Sequence, residues 1–83
     1  MTEADLQLLK ASAGKVVRII CYDGETMLAK VWSVSDVNQD VIYDLVSTTK
    51  ESQYEKHDEQ PVYLIEFKHI ERVEPLQVTP QTT

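Results

Sequence analysis

One cysteine, two histidines and fourteen acidic residues are the groups in this 83-residue chain best suited to chemistry. Cys21 stands in a run from Val16 to Tyr22 that is apolar except for Arg18. No neighbour in sequence would lower its pKa, so it reads as a small core residue and not as a nucleophile. His57 falls in a charged stretch, where a solvated side chain is expected. His69 follows Phe67 and Lys68 at a turn, and exposure is expected there too. These residues do not stand at ligand spacing on one element, and two histidines with one cysteine are too few for a structural zinc site. The acidic cluster Glu55, Asp58, Glu59 lacks the alternating oxygen ligands and central glycine of a calcium loop. Ser33, Ser35, Ser47 and Ser52 have no glycine-framed elbow. Acid, base and nucleophile never converge, so neither an enzymatic activity nor a cofactor or metal is expected. Trp32 and Tyr43 could stack nucleobases if exposed. Packing in a core or interface is the expected place for Trp32.

The elements that must position these residues are short. Residues 2 to 13 read as a helix, with Thr2 as its cap and Asp5 as the capping-box partner. Glu3 and Asp5 suit its amino end and Lys10 its carboxyl end. Leu6 and Leu9 share a face, so this helix is expected to dock on the rest of the chain. Gly14 stands where a helix stop belongs. Residues 16 to 22 then form a β-rich run ended by Asp23-Gly24, a hairpin signal. Further strands are expected over residues 27 to 34, 41 to 48, 62 to 67 and 70 to 74, the last stopped by Pro75. Residues 49 to 60 read as a long polar connection. The tail, 77 to 83, lacks a core-forming pattern and is expected to be disordered.

Five short strands after a helix suggest a strongly bent antiparallel sheet closed into a small barrel. Several strands are apolar on both faces, whereas a sheet with one wet face alternates more cleanly. The second apolar face must meet the helix, another sheet or another subunit. Glycine is scarce, so the curvature must come from bulges. The expected organisation is a helix over 1–13, a barrel over 14–76 and a tail over 77–83.

A chain of this length buries a modest core. With one cysteine, an internal disulfide is impossible. Self-association is then the expected support. The net charge of −6 is poor electrostatics for gripping a polyanion, because nucleic-acid affinity rests on basic groups displacing counterions. No apolar run is long enough to span a membrane. Glu3 and Asp5 stand where a signal peptide needs positive charge, and a cytoplasmic location is expected.

The run from Gly14 to Gly24 (GKVVRIICYDG) resembles the first motif of the Sm-like family. Val17, Ile19 and Cys21 fill its alternating apolar positions and Asp23-Gly24 its turn. Ala29 falls on the usual glycine, Val31 and Val34 on core positions, and Ile42 on the closing leucine. Ile65, Ile70 and Val73 match the aliphatic spacing of the second motif. The resemblance covers residues 14 to 74. It implies an N-terminal α-helix before a five-stranded, SH3-like small barrel that joins copies of itself into a ring through its fourth and fifth strands. Leu64, Glu66, Lys68, Glu71 and Arg72 would then lie at the interface.

Sm-like proteins typically hold a uridine-rich strand through an Asp and an Asn of the first motif and an Arg-Gly of the second. Here Ser35 and Gln39 fall on the first pair without a gap. A one-residue shift restores Asp36, and another gap recruits Asn38. Glu66 and Phe67 replace the Arg-Gly. With unit charges about 5 Å apart and an effective dielectric near 20, putting Glu66 opposite a phosphate changes that pair from about −3 to about +3 kcal/mol. The expectation is a non-enzymatic module that oligomerises, with no small-molecule substrate evident. The alternative is a single-stranded RNA binder using a changed pocket made of Gln39, Asn38, Trp32, Lys68 and His69.

Overall fold

The computed structural model describes residues 1–53 and 62–76. It contains an N-terminal helix and five antiparallel strands.

Helix α1 spans Glu3–Ala11, shorter at both ends than the expected 2 to 13. Its start is the capping box read from the sequence: the Asp5 N–H donates to Thr2 Oγ1 at 3.2 Å, and the Thr2 N–H donates back to Asp5 Oδ2 at 2.8 Å. Leu9 is its buried side chain. Nine residues are too few for a stable isolated helix, so docking through Leu9 is what keeps it folded.

The strands are β1 (Val16–Cys21), β2 (Thr26–Ser35), β3 (Asp40–Thr48), β4 (Val62–Glu66) and β5 (Ile70–Pro75). Alternation sends Val17, Ile19, Cys21, Met27, Ala29, Val31, Val41 and Tyr43 to one face, where they meet Leu9, Ile70 and Val73 in a single core. Gly24 closes the β1–β2 turn at φ 93°, a backbone that glycine adopts without steric cost. Phe67, expected at the end of the fourth strand, instead opens a 3-10 turn, Phe67–His69.

The strand order is β4-β3-β2-β1-β5. Laid flat, the outer strands of a five-stranded sheet would lie roughly 19 Å apart. Phe67–His69 alone joins them, and four residue steps reach at most about 15 Å. The sheet must therefore curl. Register shifts at Ile20/Cys21, Leu28/Ala29 and Val31/Ser33 supply the bends, as the scarcity of glycine requires. The curl stops short of the expected barrel closure: the ladder ends at β4 and β5, which do not pair with each other. The 3-10 turn is fixed by the Ile70 N–H donating to the Phe67 carbonyl. It redirects the chain and does not fold β5 back along β4, as a two-residue hairpin turn would.

Among the described residues, no helix is long and apolar enough to cross a membrane. Residues 54–61 and 77–83 lie outside the described residues. With them go His57, Glu55, Asp58, Glu59, most of the expected polar connection and the tail.

Candidate functional site

Two backbone hydrogen bonds build the site. The Phe67 N–H donates to the Gln39 carbonyl at 2.8 Å, and the Tyr22 N–H donates to the His69 carbonyl at 3.1 Å. They tie the 3-10 turn to the start of β3 on one side and the end of β1 on the other. Three segments far apart in sequence thereby present Tyr22, Gln39, Phe67 and Lys68 around one open cleft of about 410 Å³, whose far wall is Met1 and Leu6 of the helix end.

Gln39 holds φ 55°, the only positive φ among the described non-glycine residues. A left-handed backbone costs a residue with a Cβ about 1–2 kcal/mol. The cost is local to the turn whose carbonyl receives Phe67. Asn38 stands one residue earlier, and its backbone N–H donates to Ser35 Oγ at 3.1 Å. Asp36 pairs with Lys10 at 2.6 Å and so fastens the same turn to helix α1.

The five expected nucleic-acid residues do not converge. Gln39 and Lys68 share the cleft. Asn38 is exposed outside its lining. His69 borders a different cavity, of about 290 Å³, with Cys21, Glu25, Tyr63 and Leu64. Trp32, expected in a core or interface, is outside the core and 55 % exposed; the Lys30 ammonium lies 5.9 Å from its ring centroid. The sequence reasoning did not pick out Tyr22 and Phe67. Phe67 carried a signal, because it replaces a glycine of the second motif beside Lys68. Tyr22 carried none, since it reads as one more residue of an apolar strand.

The cleft is chemically mixed. Tyr22, 63 % exposed, and Phe67, half-buried against the core, are its aromatic lining. The Gln39 amide can donate and accept. Lys68 supplies a cation, offset by Glu66 at 3.4 Å, and Glu3 adds an acid at the rim. Such a site suits a planar polar ring better than a bare anion.

The Cys21, Asp23 and Glu25 ligand atoms lie within 4.8 Å of one another, the described set nearest to a metal-binding arrangement. Their partners are internal. Lys50 pairs with Asp23 at 3.2 Å, and the Thr48 hydroxyl donates to Glu25. Burial first, and then the Glu25 and Asp23 charges, push the Cys21 thiol up to about 11. At neutral pH it is a thiol, consistent with its reading as a core residue.

The expected interface residues lie at the two open ends of the sheet: Leu64 and Glu66 on β4, Lys68 in the linking turn, Glu71 and Arg72 on β5. Hydrogen-bond parity decides which backbone groups face outward. The Phe67-to-Gln39 bond makes that residue pair a bonded one. By alternation the pairs Ile65–Val41 and Tyr63–Tyr43 are bonded as well. Val62, Leu64 and Glu66 therefore point their N–H and C=O groups away from β3, to the free edge. Val62 and Leu64 are also more than half exposed. Comparison of the chain with protein-family models, with curated proteins and with solved structures returns no match.

Proposed function

We propose that this chain is a non-enzymatic, Sm-like module that assembles with copies of itself, as a ring, through β4 of one copy and β5 of the next. The observation that carries this reading is the state of β4. Its outward backbone groups and two exposed aliphatic side chains form an edge that natural proteins pair, cover or blunt. Among the described residues, nothing pairs with it. An antiparallel strand from another copy would meet the backbone groups of Val62, Leu64 and Glu66 and bury the Val62 and Leu64 side chains. Because β4 and β5 are different surfaces, the contact is head-to-tail and repeats until the rotation closes. The Sm-like assignment rests on this strand order together with the apolar spacing of residues 14 to 74.

Light scattering behind a sizing column, across a hundredfold range of concentration, tests the reading. A mass that rises with concentration to several chains is expected. A single-chain mass throughout would overturn it.

A second reading is favoured by the cleft: single-stranded RNA bound by one base against Tyr22 and Phe67, with Gln39 on its edge and Lys68 on the adjoining phosphate. Stacking on one aromatic contributes about 1–3 kcal/mol per base. Anisotropy titration with short U-rich and A-rich RNAs at low salt checks it. Binding that weakens at least fivefold in Tyr22→Ala supports this reading, and no binding at tens of micromolar removes it.

A further inference from the structure

The two edges that the proposed assembly would join are not equally open. On β4 the outward N–H groups of Val62, Leu64 and Glu66 face the free side. On β5 every outward donor that the ladder places is spoken for. Pro75 has no N–H. The Ile70 N–H donates to the Phe67 carbonyl. The remaining one, the Val73 N–H, donates to Asp5 Oδ1 at 3.1 Å.

That last contact fixes the geometry. A strand's N–H groups lie in the plane of the sheet, and β1 is the neighbour of β5 on its inner side. A Val73 N–H directed to a side chain of α1 is thus directed away from β1, at the outer edge. The Asp5 carboxylate sits where the backbone carbonyl of an added strand would have to sit.

The same carboxylate holds the helix start. Its Oδ2 accepts from the Thr2 N–H and the Thr2 hydroxyl, both at 2.8 Å, while Oδ1 is given to Val73. Burial alone would raise the Asp5 pKa. The hydrogen bonds from Thr2 and Val73 outweigh it and hold the carboxyl below the ordinary carboxylate value. The helix is anchored at its far end by Leu9, which is fully buried, and by the Lys10–Asp36 pair. Its first turn, by contrast, has Thr2, Glu3 and Ala4 exposed. The part of α1 that blocks β5 is its first turn, held by the half-buried Met1 and Leu6 but by no fully buried side chain, and helix ends open at low cost.

We infer that Asp5 is a removable cap on the β5 edge: while it holds Val73, a second copy of the chain cannot complete its β4 ladder on β5, and release of the first helical turn opens the edge. This inference rests on the assembly reading above. It adds a direction, in that loss of Asp5 strengthens association although it removes three favourable hydrogen bonds from the single chain. A residue serving only to support the fold would have the opposite sign.

The test compares the wild type with Asp5→Ala and Lys10→Ala by concentration-dependent light scattering and sedimentation. Lys10→Ala cuts the other polar tie of α1 and leaves the β5 edge alone. Asp5→Ala is expected to lower the dissociation constant of the assembly about tenfold, the scale of one charge-assisted hydrogen bond. Lys10→Ala is expected to leave it within about threefold. An Asp5→Ala constant unchanged or weaker than wild type overturns the inference. Equal tightening by both variants does so as well, since the helix as a whole would then be responsible. The assembly reading itself fails if the wild type never exceeds one chain in mass, whereas an assembled wild type whose constant Asp5→Ala does not lower removes the cap alone. A second measurement stands apart from assembly. In a Leu64→Pro background, amide exchange at Val73 should be at least tenfold faster with Asp5→Ala than without it. Equal protection in the two would refute the cap.

Discussion

Replacing Leu64 by proline separates the two sides of β4. Parity in the β3–β4 ladder sends the Leu64 N–H outward and the Ile65 N–H inward to Val41. Proline at 64 removes a donor that the single chain does not use, and its fixed φ suits an edge strand. The single-chain cost should be below about 1 kcal/mol, out of roughly 4–12 kcal/mol for a domain of this size. Across a β4–β5 contact the same change leaves a carbonyl of the next copy unpaired, about 1–3 kcal/mol per interface. At about 1.4 kcal/mol per tenfold, that is roughly a 5- to 150-fold weaker association, repeated at every interface of a ring. Ile65→Pro is the contrast. It orphans the Val41 carbonyl inside the chain and displaces a partly buried side chain, so about 1–3 kcal/mol is lost from the fold itself. Thermal melts and light scattering on the same samples read both quantities. The expected pattern is Leu64→Pro folded and dissociated, Ile65→Pro destabilised. Equal melting losses for the two variants would refute the assigned parity, and an unchanged Leu64→Pro assembly would refute the β4 edge as the contact.

Gln39→Gly should leave stability unchanged or raise it by up to about 1 kcal/mol, because glycine adopts the φ of 55° freely, whereas Gln39→Val should cost more than about 1 kcal/mol; urea midpoints distinguish them. Native Cys21, with its thiol raised from 9.0 to about 11, has roughly a hundredfold fewer thiolates at neutral pH than in the unfolded chain, so alkylation followed by mass spectrometry should be slower by at least that factor, and a labelling rate like that of the unfolded chain would contradict the burial. Asp5 titrates below its ordinary value, so its contribution to stability is present above about pH 4 and is lost as the pH falls through its folded-state pKa. Melting temperatures from pH 7 to pH 2 should show this loss in the wild type and a flatter profile in Asp5→Asn.

Local rules were enough for much of this molecule. Thr2 and Asp5 announce a capping box because both partners lie within four residues, and the box forms. Asp23-Gly24 announces a hairpin because only a residue without a Cβ accepts the left-handed step easily, and Gly24 takes it. Alternation in residues 16 to 21 sorts Val17, Ile19 and Cys21 from Val16 and Ile20, because the strand period is two, but both sets are apolar and only the fold shows the first to be the buried one. Those rules have no term for long-range geometry. Sequence alone could not say that the ladder would end at β4 and β5, since closure depends on how a three-residue turn redirects the chain after the sheet has curled. Nor could it bring Tyr22 to Gln39 and Lys68, which meet through two backbone hydrogen bonds between segments with no common pattern. It read Asp5 as a helix-capping residue and no more. Only the tertiary structure, by laying α1 along the edge of β5, turns the second oxygen of that carboxylate toward Val73, 68 positions away.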